Sequence, residues 1–184
     1  MFTFSLLFAL LILLPYGFLI LSYRKWLLKL NIFTPRNPTS SFQSFSIIIP
    51  ARNEDKNIGN CLSSILQNKY PSSNYEIIVI DDFSTDETAS IVQRFATKHS
   101  NIRIIQLKDI LHEHVNSYKK KAIEIAISKA SFNWIITTDA DCTAGAGWLN
   151  LFNEFIQDHN PVFIAAPVAF THTGGFLSLF QLLD

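Results

Sequence analysis

The sequence predicts an α/β fold built on a Rossmann-like parallel sheet and preceded by a single membrane-spanning helix. Three observations carry that expectation. Residues 2–23 contain no charged side chain. From Phe45 onward, short apolar runs alternate with stretches of helical periodicity, and such alternation implies parallel strands joined by right-handed crossovers. Acidic residues also collect directly after those runs, where open α/β sheets hold their ligands.

The bulk composition narrows the function classes. The chain has 184 residues, 48% hydrophobic and 16% charged, with a formal net charge of zero. That length suits one domain and a short extra element. The charged share is low against roughly 25% in ordinary soluble domains. A neutral chain carries no global basic field, so no nucleic-acid partner is expected. The two cysteines, Cys61 and Cys142, form no C-x-x-C pair; they read as reduced thiols rather than a zinc site or a disulfide framework. His112-Glu113-His114 is the only histidine cluster, and with no third ligand nearby it reads as a solvated loop.

The elements follow in order. About 20 apolar residues in a helix cross the roughly 30 Å of bilayer hydrocarbon, and Pro15 and Gly17 are tolerated in such a helix. A signal peptide would carry a basic leader and a small-residue cleavage site. Here no Lys or Arg precedes the run, and Arg24, Lys25, Trp26 and Lys29 follow it. Those cations, with Arg36, place the C-terminal side in the cytoplasm by the positive-inside rule. The expected divisions are 1–33 for the anchor and juxtamembrane helix, 34–44 for a linker, and 45–184 for the α/β domain.

Within that domain, strands are expected at Phe45 to Ile49, Tyr75 to Ile80, Ile102 to Leu107, Trp134 to Thr138 and Val162 to Val168. Helices are expected around Ile58–Leu66, Thr88–Ala96, Ala122–Ala130 and Trp148–Ile156, with Ser84 and Glu87 forming a capping box for the second.

The residues just after each strand are the candidate site. The first strand leads into Pro50, Ala51, Arg52, Asn53 and Glu54. The second leads into Asp81, Asp82, Phe83, Ser84 and Thr85, and the fourth into Asp139, Ala140, Asp141 and Cys142. An extended D-x-D sets both carboxylates on one side of the chain, about 7 Å apart. Asp139 and Asp141 can then hold a hard cation such as Mg²⁺ or Mn²⁺, bridged to phosphate oxygens. Asp81 or Asp82 can accept from a base N–H or serve only as a helix cap. Arg52 and Lys119 are candidate phosphate or base contacts. No G-x-G-x-x-G follows the first strand and no P-loop occurs, which removes dinucleotide and P-loop readings.

In order, Ser46 to Glu54, Ile80 to Asp86, Lys119-x-x-Ala122 and Thr138 to Asp141 resemble the inverting family-two glycosyltransferases of GT-A fold, from about Phe45 to Asp184. Phe83 stands where that family commonly has glycine. The resemblance implies a nucleotide-diphospho-sugar donor, most often a UDP-sugar, bound by Pro50, Ala51, Arg52, Asn53, Glu54, Asp81, Asp82, Ser84, Lys119 and Asp139. It implies Mg²⁺ or Mn²⁺ on Asp139 and Asp141, and a glycan or lipid acceptor at a membrane. The family's later Glu-Asp base motif and Gln-x-x-Arg-Trp motif are absent. The chain therefore reads as an N-terminal piece of an enzyme or as a non-catalytic nucleotide-sugar-binding remnant.

Overall fold

The computed structural model describes residues 2–29, 33–34, 41–110 and 118–169, without the side chains of residues 2–10, 12 and 118. The His112–His114 cluster and residues 170–184 lie outside the described residues, as do residues 35–40 of the expected linker. The chain divides into two compact units, Met1–Arg36 and Asn37–Asp184.

The first unit is one helix, α1 (Phe2–Leu27), with Pro15 inside it and Arg24 and Lys25 in its last turn. Those cations suit the negative end of the helix dipole. The Ser22 hydroxyl donates back to the Phe18 carbonyl at 2.8 Å. Tyr23 and Trp26 meet edge to face, 6.3 Å between centroids. Leu11, Leu13, Leu14, Phe18, Leu19 and Leu21 are all exposed, on every side of the helix. Among the described residues, no helix is both long and apolar enough to cross a membrane; the undescribed side chains of 2–10 and 12 belong to this same helix.

The second unit carries a four-stranded sheet: β1 (Phe45–Ala51), β2 (Tyr75–Asp81), β3 (Ile102–Gln106) and β4 (Trp134–Thr137). The spatial order is β3-β2-β1-β4, and every described pairing is parallel. All strands therefore end at one rim. The helices are α2 (Ile58–Leu66), α3 (Thr88–Lys98), α4 (Tyr118–Ser128) and α5 (Trp148–His159).

The sheet separates two apolar layers, because alternate residues of a strand face opposite ways. Ile47, Ile49, Ile77 and Val79 pack with Ile58, Leu62 and Ile65 of α2, Val92 of α3 and Leu149 of α5. Ile48, Ile78 and Ile80 pack with Ala122 and Ala126 of α4. The central isoleucines are fully buried, each stabilising by about 1.5–3 kcal/mol. Both faces are covered, which is why β1 and β2 read as continuous apolar runs rather than alternating ones.

The expected strand at Val162 to Val168 does not form; residues 163–169 carry no regular structure. Pro161 and Pro167 lack the N–H that a ladder needs. Among the described residues, the edge of β4 away from β1 has no strand beside it.

Two polar networks fix the amino-terminal end of the sheet, opposite the rim. Asn153 of α5 is buried. Its side-chain oxygen accepts the Gln43 amide at 2.8 Å and its amide donates to the Ser41 carbonyl at 3.1 Å. Tyr70 donates to the Gln43 carbonyl at 2.7 Å. Residues 41–43, inside the expected linker, are thus fastened to α5. On β2, Glu76 accepts from the Ser46 hydroxyl at 2.6 Å and from the Ser131 amide at 2.5 Å. Its other oxygen accepts from Arg103 at 2.9 Å, and Arg103 also donates to the Lys129 carbonyl.

Burial pushes the Glu76 carboxyl up, but the bonds from Ser46, Ser131 and Arg103 outweigh it and hold the group below its ordinary value. The Glu76 carboxylate therefore stabilises the fold above the ordinary carboxylate range, and that stability is lost as pH falls through the lowered folded value. Glu76→Gln is expected to cost about 2–3 kcal/mol at pH 7, read by urea denaturation. The cost should shrink in acid, once the wild-type carboxyl is itself protonated.

Candidate functional site

The rim is built from the loops that follow β1, β2 and β4, three adjacent strands. The first two loops are clasped together. The Asn53 amide donates to the Ser84 hydroxyl at 3.0 Å, and the Thr85 amide donates to the Asn53 side-chain oxygen at 2.8 Å. The Glu54 amide donates to the Thr88 hydroxyl at 2.8 Å, and the Asp55 amide to Asp86 at 3.1 Å. Below them the Asp82 amide donates to the Ala51 carbonyl at 2.8 Å, extending the β1–β2 ladder.

This clasp gives several of the expected contacts a structural role. Asn53 and Ser84 spend their side chains on each other's loop. Glu54 accepts from the Asn57 side-chain amide at 2.8 Å. Asn53 adopts φ 56° and Phe83 φ 54°, the left-handed region that asparagine tolerates and bulky residues avoid. The positive φ explains why glycine suits position 83; Phe83 instead packs against the α4-side core. The expected Ser84–Glu87 capping box does not form. Asp86, just before the Glu87 N-cap, accepts the first amide of α3, from Thr88, at 3.0 Å and the Thr88 hydroxyl at 2.5 Å, while Ser84 is drawn away to Asn53.

Asp81 and Asp82 end β2, exposed by only 1% and 8%. One oxygen of each is buried without a hydrogen-bond partner, as is the side-chain oxygen of Gln106. Asp81 and Gln106 are register partners on β2 and β3, so they share a sheet face. A buried orphan acceptor costs about 1–3 kcal/mol. Arg52, exposed, approaches Asp82 at 3.7 Å. Burial pushes the Asp82 carboxyl up, Arg52 pulls it down and Asp81 pushes it up again; the net displacement is upward. Gln106 was not singled out from sequence. Its signal was the rule applied to the other strands: it is the last residue of β3, at the carboxyl end.

Asp139 and Asp141 follow β4, both exposed. The chain is not extended there, as the sequence reading assumed. The Cys142 amide donates to the Asp139 carbonyl at 3.2 Å, closing a turn, with Ala140 buried beneath it. Period-two alternation therefore does not set the carboxylate spacing; burial of Ala140 turns both acids to solvent. Lys119, in the first turn of α4, donates to Asp139 at 2.7 Å. The sheet thus gathers Arg52, Asp82, Lys119 and Asp139 at one rim. Pro50 and Ala51 contribute as strand end, and Ala51 is buried.

The residues fit Mg²⁺ or Mn²⁺, which take one or two carboxylates and complete an octahedron with water and phosphate oxygens. Asp139 and Asp141, both exposed after β4, would supply that number of protein ligands. Among the described residues no cluster of three histidine, cysteine or acidic side chains is available for a metal, so an all-protein cage is not formed.

An open groove of about 1190 Å³ runs beside β4, lined by Trp134, Ile136, Asp141, Trp148 and Phe152 among others. Cys61 and Cys142 also line it. Burial pushes the Cys61 thiol up to about 12, with the charges of Cys142 and Asp141 adding to the effect.

An upward-displaced Asp82 stabilises the fold only while protonated; that contribution is present below the ordinary carboxylate pKa and lost as pH rises through the folded value. Asp82→Asn is therefore expected to gain stability relative to wild type as pH rises from 3 to 7, in urea denaturation across that range. An unchanged difference would contradict this reading of the corner.

The comparisons with known proteins bear on this geometry. The model of Glycosyl transferase family 2 matches residues 46–179. The chain is 31% identical over 137 residues to glycosyltransferase AglE of Haloferax volcanii, covering 74% of this chain and 43% of that protein. It is 29% identical over 116 residues to the poly(ribitol-phosphate) β-N-acetylglucosaminyltransferase TarS of Staphylococcus aureus, covering 63% of this chain and 19% of that one. The crystal structure of S. aureus TarS 1–349 in complex with UDP-GlcNAc superposes with TM-score 0.57 at 28% identity, over 64% of this chain and 32% of that one. Mannosyltransferase PcManGT from Pyrobaculum calidifontis, in complex with GDP-Man and Mn²⁺, gives TM-score 0.58 at 25% identity, over 75% and 39%. The chain spans less than half the length of these relatives. With its parallel sheet, its acidic rim and a family match over most of its length, this chain belongs to glycosyl transferase family 2.

Proposed function

We propose that this chain forms the donor-binding part of a membrane-attached, metal-dependent glycosyltransferase that uses a UDP-sugar and serves a glycan or lipid-linked acceptor. The carrying observation is that the loops after β1, β2 and β4 and the first turn of α4 set two charge pairs, Arg52–Asp82 and Lys119–Asp139, at the carboxyl rim of the sheet. The Asp82 carboxylate, beside exposed Arg52 at the rim, is the acceptor proposed for the ring N–H of uracil. Lys119 and Arg52 supply positive charge for a diphosphate. Asp139 and Asp141 are the ligands for Mg²⁺ or Mn²⁺, which when bound neutralises charge developing on the departing diphosphate. An acceptor hydroxyl attacking in line inverts the anomeric carbon as the UDP leaves, and a carboxylate base takes its proton. The likeness to TarS, crystallised with UDP-GlcNAc, supports the UDP reading.

Membrane attachment is the role proposed for α1. A helix apolar on all sides is stable only when buried in a core or a bilayer. Its described leucines and Phe18 have no such cover. Residues 2–23 carry no charge and the cations Arg24, Lys25 and Lys29 follow, which faces the α/β domain to the cytoplasm.

Calorimetry of the full chain in detergent tests the site. UDP is expected to bind in the presence of Mn²⁺ and at least tenfold more weakly without it. The double change Asp139→Ala with Asp141→Ala should remove the metal dependence. Equal UDP binding with and without Mn²⁺ would refute the metal assignment. For the anchor, the full chain is expected to stay with membranes through an alkaline carbonate wash, and deletion of residues 2–23 to release it; release of the intact chain would count against the anchor.

A further inference from the structure

The mechanism above uses neither cysteine, yet both flank the turn that carries its metal ligands. Cys61 sits on α2, buried, and its thiol donates to the Asp139 carbonyl at 3.7 Å. The backbone amide of Cys142 donates to that same oxygen at 3.2 Å. One carbonyl thus ties the first thiol to the backbone of the second cysteine. The Cys142 thiol lies 3.8 Å from an Asp141 carboxylate oxygen. Both cysteines border the open groove beside β4, and both are unpaired. Cys142 is partly exposed and Cys61 is not, so a small reagent entering the groove meets Cys142 first.

We infer that Cys61 and Cys142 form a thiol-oxidation site whose disulfide displaces the Asp139–Asp141 turn and disables donor binding. The step is a double exchange with a low-molecular-weight disulfide such as oxidised glutathione. The Cys142 sulfur attacks that disulfide, forming a mixed disulfide and releasing one small thiol. The Cys61 sulfur then attacks the Cys142 sulfur, forming the protein disulfide and releasing the second small thiol. Two protein thiols are oxidised, one small disulfide is reduced, and the two thiol protons leave with the two released thiols.

The effect follows from disulfide geometry. A bridge requires the two Cβ atoms to lie about 3.5–4.5 Å apart. α2 is packed into the core by Ile58, Leu62 and Ile65, all fully buried, whereas the 139–142 turn is held there by Ala140 alone, with Asp139 and Asp141 exposed. The turn is the part that moves. Its shift withdraws Asp139 from Lys119 and re-aims Asp141, so the metal-dependent contact with a diphosphate weakens while the clasped loops after β1 and β2 stay in place.

The binding consequence rests on the donor-site reading proposed above; formation of the bridge does not. The test treats the full chain with oxidised glutathione, then alkylates free thiols and maps peptides by mass spectrometry. The expected product is a peptide pair joined through Cys61 and Cys142, two hydrogens lighter than the reduced pair. UDP binding in the presence of Mn²⁺ should fall at least tenfold on oxidation and return with dithiothreitol. Cys142→Ser should keep its UDP binding through the same treatment, and Cys61→Ala should stop at a glutathione adduct on Cys142 with no joined peptide pair. A glutathione adduct on Cys142 with Cys61 still free would overturn the inference. So would a formed bridge that leaves UDP binding intact. If reduced wild type binds no UDP, the donor-site reading fails instead, and the joined peptides still decide whether the bridge exists.

Discussion

The hydrogen-bonded clasp between the loops after β1 and β2 is the constraint on which the rim depends. Asn53 reaches into the second loop while Ser84, Asp86 and Thr88 reach into the first. Loops at a sheet edge are ordinarily the mobile part of such a fold. Here four backbone N–H groups are satisfied by side chains of the neighbouring loop, so both loops act as one piece. That rigidity holds in place the corner after β2, where Asp81 and Asp82 are buried with one unpartnered oxygen each.

The division of labour along the sheet follows from the same economy of polar groups. At the amino-terminal end, Glu76 and Asn153 have their polar atoms bonded by Ser46, Ser131, Arg103, Gln43 and Ser41. At the carboxyl end, acceptors are left open and each charge pair has an exposed partner: Lys119–Asp139 lies at the surface, and exposed Arg52 stands 3.7 Å from the buried Asp82. Exposed pairs of that kind contribute little to stability. They are free to exchange one partner for a ligand at small cost, which is what a rim that must bind and release a charged molecule requires.

The sheet was largely legible because its signal is a periodicity that tertiary packing reinforces. Ile47 to Ile49 and Ile77 to Ile80 are buried on both faces, and no local force competes with that. The Val162–Val168 run has the same apolar character, but Pro161 and Pro167 deny it part of a ladder, and no described strand lies alongside. At the candidate site, position after buried strands singled out Arg52, Asp82, Asp139 and Asp141, and the structure places them at the carboxyl rim, with Lys119 of α4 bonded to Asp139. Roles were harder to read. Asn53 and Ser84 look like ligand contacts in one dimension, and only the meeting of two loops 31 residues apart shows that they hold each other. Gln106 escaped because its neighbour in space, Asp81, lies on a different strand. The D-x-D spacing failed as geometry because the chain turns at Ala140.

Hydrogen exchange of the full chain, followed with and without UDP and Mn²⁺, tests the central claim of a preformed rim most directly. With a preformed rim, the amides of Asn53, Glu54, Asp55 and Thr85 are protected before any ligand is added, and residues 139–142 gain protection only when UDP and Mn²⁺ are both present. Rapid exchange of the four clasp amides in the free chain, with protection appearing only on ligand addition, would contradict it.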